Sequence, residues 1–470
     1  MDFDLRRSSL IELSDALRRR QISPVELMEL VLARVEATGS SLNAVVTLRD
    51  RDALRADARA AGERIARGEA RPLEGVPLGV KDLEDVAGLV TSQGSVPFRG
   101  NVAKRDSTQV SRLRSAGAIV VGKTNTPEFG YTAITKNLVY GVTRSPWNLD
   151  RTPGGSSGGS AAALVGSVLP LVTASDGGGS IRIPASFTGA FGLKPSFGRI
   201  PLGPSKHWDY GDTAVYGPLT KTVEDGAFFL DQVVGPSPHD PNSLPHPGLS
   251  YLETVRTPLA GKLRIGFSLD LGYAVVQSDV AAAVEEAAAV FGKLGHGVEP
   301  LPDGPPMIGR EWSILGSFEL ASQLHSLLPG RAPDFGRAFL ETVRLGWKMT
   351  PELWGEGARL RAELNDWCAR SFERFDLLVT PTVPYDPPPA RGPFPAETEG
   401  RPQVPLSVAS FTIPFNLSWH PAATVRAGLS RARLPIGMQL VGPRHREDLV
   451  LQAARAFERE RPWHPEWPEG

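Results

Sequence analysis

The start of the chain carries apolar residues at helical spacing. Within residues 8–37 they recur every three or four positions, which predicts amphipathic helix. Ser23 can cap a helix that begins there, because Pro24 suits the first helical turn and Glu26 completes a capping box. Residues 49–68 are charged and rich in alanine, which predicts a surface helix. The first 70 residues are therefore expected to form N-terminal helices.

Short apolar runs alternate with helical segments along the middle of the chain. A run of a few apolar residues bounded by glycine or proline predicts a buried strand. Strands that alternate with helices indicate an α/β protein with a sheet as its core. The predicted strands are 78–80, 118–121, 263–267 and 377–380, and the predicted helices include 107–115 and 280–292.

The pattern changes after residue 300. Residues 300–365 show helical spacing without strands, and the proline-rich residues 384–404 predict an irregular loop. This region either covers a site on the core or forms a surface helical layer with no role in binding substrate. We predict one domain over residues 1–470, with N-terminal helices (1–70), a catalytic core (71–300), a helical and proline-rich cover (301–405) and a return to the core (406–470).

Composition narrows the class of protein. Hydrophobic residues make up 41% of the chain and charged residues 22%, as in a globular protein with a large core. The net charge of −1 gives no reason to expect a nucleic-acid partner. Cys368 is the single cysteine, which excludes an internal disulfide and fits a reducing, cytoplasmic compartment. No uninterrupted run of 18 apolar residues predicts a membrane span, and the first seven residues do not resemble a secretory signal.

Two glycine-rich segments contain serines. They are residues 153–160 (PGGSSGGS) and residues 176–182 (DGGGSIR). Free backbone N–H groups in such turns form an anion-binding concavity, and a serine beside it is a candidate nucleophile. Neither segment has the lysine of a phosphate-binding P-loop or the G-x-G-x-x-G spacing of a dinucleotide site. An ordinary structural turn is the alternative for either segment alone, but Ser156 and Ser180, 24 positions apart, favour a catalytic site.

A serine nucleophile needs a base within hydrogen-bond reach. None of the eight histidines lies in a tight motif, so the ten lysines are the next candidates. Lys81 ends the apolar run 75–82 (GVPLGVKD), which predicts a buried strand that ends in a charge. Burial lowers the pKa of a lysine and makes it a general base. The alternative is a lysine whose amine reaches the surface from the strand end.

These segments together resemble the amidase signature family of Ser–cis-Ser–Lys hydrolases. The order of Lys81, Ser156 and Ser180 matches, as does the gap between the two serines. The resemblance extends from about residue 10 to residue 457. It includes the segments 23–27 (SPVEL), 122–129 (GKTNTPEF), 192–196 (GLKPS) and 434–442 (LPIGMQLVG).

The resemblance implies a fold and a set of catalytic roles. The fold is a large twisted mixed β-sheet covered on both faces by α-helices. Ser180 would be the nucleophile, and Ser156, after a cis peptide bond with Gly155, would relay its proton to Lys81. Ser157 would hold the lysine. No metal and no cofactor are implied.

The second glycine-rich segment would supply the oxyanion hole. Four successive N–H groups beside the nucleophile can converge on the developing charge. The predicted donors are Gly177, Gly178, Gly179 and Ser180. Asp176 and Arg182 are expected to support this loop, or to form an ordinary ion pair without a catalytic role.

The substrate pocket is predicted from two segments and from the cover. Phe129, Gly130 and Tyr131 match the family stretch that lines the acyl channel. Trp419 and His420 replace smaller or aliphatic residues in the segment 416–422 (NLSWHPA), so they are expected in the pocket, although an inert structural role for Trp419 is equally compatible. Further apolar walls are expected from the cover, namely from Trp312, Phe318, Trp347 and Trp354.

The expected activity is hydrolysis of hydrophobic acyl or aryl amides through an acyl-enzyme, extending to esters and carbamates (urethanes). One alternative is the glutaminase (A) subunit of a tRNA-dependent amidotransferase, which would need partner subunits. No acidic residue stands just upstream of Asn416 to hold the amine of glutamine. The other alternative is a catalytically silent binding protein, against which the retention of the lysine and both serines argues. The expected partner is a small-molecule amide, without nucleic acid or membrane, and the expected state is a monomer or homodimer.

Overall fold

Helices and strands alternate along the computed structural model, which describes residues 4–204, 212–463 and 467–468. The helices are α1 Leu10–Arg18, α2 Pro24–Thr38, α3 Arg51–Ala66, α4 Thr108–Ser115, α5 Gly158–Val165, α6 Arg182–Thr188, α7 Val223–Val233, α8 Tyr251–Arg256, α9 Ser278–Lys293, α10 Gly309–Leu324, α11 Leu328–Arg331, α12 Arg337–Gly346, α13 Pro351–Arg374, α14 Ile413–Leu417 and α15 Glu447–Glu460. In the described part of the chain, none of these helices has both the length and the hydropathy needed to cross a bilayer.

The strands are short, as the apolar runs predict. They are β1 Val45–Leu48, β2 Pro77–Lys81, β3 Ile119–Thr124, β4 Lys136–Asn137, β5 Gly141–Val142, β6 Leu171–Val172, β7 Ala174–Asp176, β8 Phe191–Lys194, β9 Val215–Gly217, β10 Leu219–Thr220, β11 Arg264–Phe267, β12 Gly297–Pro300, β13 Leu377–Pro381, β14 Glu397–Thr398, β15 Arg401–Pro402, β16 Ala422–Leu429 and β17 Pro435–Val441. All four strands predicted from the sequence are confirmed.

Two sheets form the core. The larger one has the order β10-β8-β16-β17-β13-β11-β12, and a four-stranded sheet has the order β1-β3-β2-β6. Strands β6 and β10 lie next to each other, so the two sheets are adjacent. Parallel pairs such as β2 with β3 occur beside antiparallel pairs such as β16 with β17. The predicted mixed α/β core is confirmed.

Helices cover both faces of the larger sheet. Helices α6, α9 and α15 pack against β16 and β17. Every residue of β17 is buried, although successive side chains of a strand point to opposite faces. Both faces must therefore be covered, which explains why this strand is apolar on both faces, except at the hydrogen-bonded Gln439, and does not alternate.

The two N-terminal helices begin at capping boxes. Ser23 accepts a hydrogen bond from the Glu26 amide, and the Glu26 carboxylate accepts one from the Ser23 amide. Ser9 and Glu12 form the same arrangement at the start of α1. The cap predicted at Ser23 is confirmed. It explains why the helical pattern of residues 8–37 divides into two helices.

The cover contains helices α10 to α13 and the small hairpin of β14 and β15, which lies within the segment predicted to be an irregular loop. Helix α10 buries Ile314, Leu320 and Leu324, so Phe318 falls on its outer face and is 44% exposed. Trp347 and Trp354 are 56% and 57% exposed. The prediction that these three aromatic residues wall the pocket is wrong, because helical spacing does not tell which of two apolar faces a helix buries.

The close approach of β1 to β3 generates a stability prediction. A Cβ atom on Gly122 would lie 2.0 Å from the carbonyl oxygen of Thr47. We expect Gly122→Ala to push β1 away and to destabilise the fold by about 1–3 kcal/mol, the usual cost of overpacking. Thermal unfolding measures the loss.

A matched control is Gly292→Ala, on the exposed face of helix α9, where no atom lies within 4 Å of the added Cβ. This change should stabilise the protein by about 0.5–1 kcal/mol, because alanine restricts the unfolded chain more than glycine does. Equal unfolding midpoints for the two variants would contradict the close packing of β1 on β3.

Candidate active site

Lys81 is the last residue of β2 and its side chain is fully buried. Its Nζ lies 2.8 Å from Ser156 Oγ, 2.9 Å from Ser157 Oγ and 2.9 Å from Ser175 Oγ. The Lys81 amide donates to Thr173 Oγ1 at 3.0 Å, which fixes the end of the strand. The structure thus brings together the lysine and the first pair of serines, and it adds Ser175.

The hydrogen bonds around the amine indicate which atoms donate. Ser157 Oγ donates to the Ser175 carbonyl at 3.2 Å, so it accepts from the lysine. A neutral amine has two N–H groups and one lone pair. It can donate to Ser157 and Ser175 and still accept a proton from Ser156. Burial lowers the pKa of Lys81 to about 7, against the opposing charges of Glu84 and Asp176.

Further buried charges lie on the elements beside the lysine. Lys123 Nζ is 3.8 Å from Asp82 Oδ1 and donates to the backbone carbonyl of Glu84. Burial raises the pKa of Glu84 to about 7, although Ser107 Oγ and Gln109 Nε2 donate to its carboxylate at 3.1 and 2.8 Å. The carboxyl of Glu84 therefore titrates in the same pH range as the amine of Lys81.

The two serine segments meet above the lysine. The Gly155–Ser156 peptide bond is cis, as predicted. The Ser157 amide donates to the Ser180 carbonyl at 3.3 Å, which ties one segment to the other. Ser156, Ser175 and Ser180 line the same cavity. The side chains predicted to act as relay and nucleophile therefore open into one space.

A buried ion pair supports the second segment. The carboxylate of Asp176 pairs with the Arg182 guanidinium at 2.9 Å, and both side chains are fully buried. The carboxylate also accepts from the amides of Gly179 and Ile181 and from Asn416 Nδ2. Burial alone would raise the pKa of Asp176, but the charge and hydrogen bonds of Arg182 hold it well below its usual range. Asp176 therefore stays ionised and fixes the turn.

Three successive carbonyl groups of this segment accept hydrogen bonds from distant side chains. Because the C=O and N–H of a trans peptide point in opposite directions, each anchored carbonyl also sets the direction of the next N–H. The anchors are Asn416 Nδ2 on the Asp176 carbonyl (3.0 Å), Trp312 Nε1 on the Gly177 carbonyl (3.0 Å) and Thr412 Oγ1 on the Gly178 carbonyl (2.6 Å).

The predicted set of four oxyanion donors needs one correction. The Gly179 N–H donates to Asp176 Oδ1 at 2.7 Å, so it is already engaged and turned toward the carboxylate. Among the described residues, the N–H groups of Gly177, Gly178 and Ser180 have no acceptor. These three amides remain as candidate donors.

One cavity of about 130 Å³ opens onto the serines. Phe129, Gly130 and Tyr131 line it, as expected, and so does Trp312 from the cover. Its other apolar lining residues are Leu83, Ala133, Ile183, Leu202, Ala214, Val215, Phe394, Leu406, Val408 and Ala409. Tyr216 and Thr132 add hydroxyl groups, and no charged side chain lines the cavity among the residues that the structure describes.

Trp419 and His420 do not line this cavity. The Trp419 ring stacks on Phe197 with centroids 4.8 Å apart, and its Nε1 donates to the Asp212 carbonyl. The His420 ring stacks on Phe372 in the interior, and burial lowers its pKa to about 2. Both side chains are held by packing away from the serines.

The sequence did not indicate Ser175 or Thr412 as site residues, nor the roles of Trp312 and Asn416 as hydrogen-bond donors to the loop. Ser175 directly precedes the glycine-rich segment, so its position was a usable signal. Trp312 was expected as a pocket wall, not as a hydrogen-bond donor to the loop. Thr412 and Asn416 lie more than 230 positions from the carbonyl groups that they hold. No spacing rule connects such distant residues.

Comparison with known proteins decides the family. The Amidase family model matches residues 26–451. An acylamidase from Rhodococcus erythropolis is 36% identical, over 98% of this chain and 97% of that protein. The A-type subunit of the glutamyl-tRNA(Gln) amidotransferase of Geotalea daltonii is 34% identical, over 96% and 97%. The crystal structure of a bacterial aryl acylamidase of the amidase signature family superposes with a TM-score of 0.92 at 31% identity, over 99% of both chains.

The chain belongs to the amidase signature family. It is therefore a hydrolase of the class that acts on amide C–N bonds. Identity does not separate the two kinds of relative, because the acylamidase and the amidotransferase protein match almost equally well. The substrate has to be inferred from the cavity.

The buried ion pair generates a second stability prediction. Arg182→Met would leave the Asp176 carboxylate buried without its cation. Breaking a buried pair from one side typically costs about 3–5 kcal/mol. We expect a loss of that size in the free energy of unfolding, measured by urea denaturation.

Two further variants make the test specific. Asp176→Asn combined with Arg182→Met should be more stable than Arg182→Met alone, since no unpaired charge remains. Arg359→Met removes an exposed pair with Glu363 and should change stability little. An Arg182→Met protein as stable as the Arg359→Met protein would show that the buried pair does not hold the loop.

Proposed function

We propose that this chain hydrolyses uncharged aryl and acyl amides through an acyl-enzyme on Ser180, and that the same site cleaves esters and carbamates (urethanes) of similar shape. The observation that carries this proposal is the cavity, whose described lining has no charged side chain. A charged group of a substrate would lose its hydration there without gaining a counter-charge. Apolar walls with a few polar groups at one end suit a hydrophobic amide.

The proposed catalytic sequence begins at the contact between Lys81 and Ser156. Lys81, which is neutral above its pKa of about 7, takes the proton of Ser156, and Ser156 takes the proton of Ser180 as the Ser180 Oγ attacks the substrate carbonyl. The oxyanion accepts hydrogen bonds from the amides of Gly177 and Gly178 and from that of Ser180. The same relay returns the proton to the leaving amine. Water then gives a proton to the same relay and attacks the ester carbonyl, and the relay returns that proton to Ser180 Oγ as the acid is released.

The glutaminase alternative has less support. Glutamine carries an ammonium and a carboxylate, and each needs an oppositely charged partner when it is desolvated. The described lining offers neither. The names of the two acylamidases among the relatives agree with the choice of aryl and acyl amides.

A panel of substrates tests the proposed function. It compares a benzoyl or fatty-acyl p-nitroanilide, an aryl carbamate, glutamine and malonamide. We expect the p-nitroanilides to have the highest kcat/KM, because they fill the apolar walls and because an aniline is a better leaving group than an alkylamine. Faster turnover of glutamine or malonamide than of every aryl substrate would refute the proposal.

The Ser180→Ala variant, assayed with the same substrates, tests whether Ser180 is the nucleophile. It should abolish both turnover and labelling by a fluorophosphonate. Ser186→Ala is the matched control, because Ser186 lies on the next helix and its Oγ has no hydrogen-bond partner in the described structure. Labelling that persists in the Ser180→Ala protein would move the nucleophile to another residue.

The lysine environment generates a prediction of pH dependence. The active form of Lys81 is the unprotonated amine, which is depleted below its pKa of about 7. The value of kcat/KM should therefore rise with pH, reach half its maximum near pH 7 and then level off. Lys81→Met should lower kcat/KM by about 10²–10⁴-fold, the usual contribution of positioned proton transfer.

Two control variants distinguish the effect of Lys81 on the rate from the effects of other charged residues. Lys104→Met removes an exposed lysine and should leave the rate unchanged. Glu84→Gln removes the negative charge that raises the pKa of Lys81, so the rising limb should move to lower pH and persist. Lys81 would be rejected as the base if kcat/KM of the Glu84→Gln protein no longer rose with pH. It would also be rejected if Lys81→Met kept more than about a tenth of the wild-type rate.

A further inference from the structure

The oxyanion segment consists of three glycines in a row, residues 177–179. Glycine restricts its own backbone less than any other residue. A peptide between two glycines keeps one orientation only where a hydrogen bond or a packed neighbour holds it. The peptide between Gly177 and Gly178 carries one of the three candidate oxyanion N–H groups, so whatever holds its plane matters for catalysis.

Trp312 contacts this peptide in two ways. Its Nε1 donates to the Gly177 carbonyl at 3.0 Å. Its ring also occupies the space where a side chain on residue 178 would begin, since a Cβ on Gly178 would lie 2.5 Å from Cζ2 of the indole. The half-buried indole therefore lies against the peptide and fixes its carbonyl.

The direction of the N–H follows from that contact. In a trans peptide the N–H points away from the carbonyl, so the Gly178 N–H points away from Trp312. We propose that Trp312 is a positioning residue whose indole N–H holds the Gly177–Gly178 peptide so that the Gly178 amide faces the developing oxyanion. This inference rests on the proposed function, because it assigns a role within the same acyl transfer.

The anchor comes from the cover and not from the core. Of the three carbonyl anchors, Asn416 and Thr412 lie in or next to α14, whereas Trp312 lies on α10. Helix α10 packs closely on α12 within the cover, since a Cβ on Gly346 would lie 2.1 Å from the Ser317 carbonyl, and α10 also contacts α14, in or next to which the other two anchors lie. The position of α10 therefore sets one of the oxyanion donors.

Trp312→Phe tests the role of the N–H, because phenylalanine keeps an aromatic wall and removes the donor. Loss of a whole oxyanion donor lowers kcat by about 10²–10³-fold, so a donor that has lost its orientation should lower kcat by about ten- to a hundredfold. We expect KM for a p-nitroanilide to change less than about twofold, because the interaction is made chiefly in the transition state. If Trp312 served only as a wall of the cavity, the substitution would instead raise KM.

A pair of inhibitors gives an independent readout. A trifluoromethyl ketone forms an adduct with a serine nucleophile that carries an oxyanion, whereas the corresponding secondary alcohol cannot. Trp312→Phe should weaken binding of the ketone by about the same factor by which it lowers kcat, because the affinity for the ketone and kcat both depend on the oxyanion donors. It should leave binding of the alcohol unchanged. Equal weakening of both inhibitors would overturn the proposal.

Gly178→Ala disturbs the same contact between the indole and the peptide by changing the peptide instead of the tryptophan. The added Cβ displaces the indole, so this variant should show the same loss in kcat as Trp312→Phe. Two changes that break one contact are not additive, so the double variant should be no slower than the slower single variant. Fully multiplicative losses would mean that the two residues act separately, against the proposal.

The matched control is Trp354→Phe, which changes an exposed tryptophan of the same cover and should leave kcat unchanged. Thermal unfolding verifies that each variant is folded. A wild-type protein that turns over no amide and is not labelled by a fluorophosphonate would reject the proposed function, and this inference with it. An active wild type with a Trp312→Phe variant of equal kcat would reject this inference alone.

Discussion

A lysine amine buried among three serine hydroxyls is the constraint on which the site depends. Among the described residues no carboxylate lies within 4 Å of Lys81 Nζ, whereas Lys123 has Asp82 at 3.8 Å. The nearby carboxylate of Asp176 is instead paired with Arg182. Loss of hydration then outweighs the remaining attraction of distant charges, and the pKa of Lys81 falls to about 7. The Asp176–Arg182 pair fixes the glycine-rich turn, and the charge of Asp176 raises the pKa of Lys81 by less than burial lowers it.

The four-stranded sheet explains why these groups meet. Strands β2, β3 and β6 are parallel neighbours, so their carboxyl ends lie at the same edge. Lys81 ends β2, and Ser175 follows shortly after β6. Ser157 lies at the start of α5, which packs against β2. Functional groups at the carboxyl ends of parallel strands are a general feature of α/β proteins, and here Lys81, the proposed base, and two of the hydroxyls around it lie near that edge.

Local patterns predicted the strands and the Ser23 cap, because each depends on residues close together in the chain. The lysine and the serines stand in separate segments, with Lys81 lying 75 positions before Ser156, and the resemblance to the family linked them. Local patterns failed where the outcome depends on distant packing. Phe318 and Trp354 lie at helical spacing, but which face of a helix is buried depends on its neighbours, and both are exposed. Trp419 stacks on Phe197 and does not line the cavity. Asn416 reaches its carbonyl partner across 240 positions, a pairing that only the folded chain creates.

The cavity, whose described lining carries no charged side chain, is physically coupled to Lys81. Ser156 and Ser175 line the cavity and also contact Lys81 Nζ, so any charge on the wall would act on the amine through a poorly screened interior. An arginine that held a substrate carboxylate would lower the pKa of Lys81 further, and an aspartate that held an ammonium would raise it. A lining without charge leaves that pKa to be set by burial and by the fixed groups around the lysine. Under the proposed function, selectivity for uncharged amides and a lysine pKa of about 7 follow from the same wall.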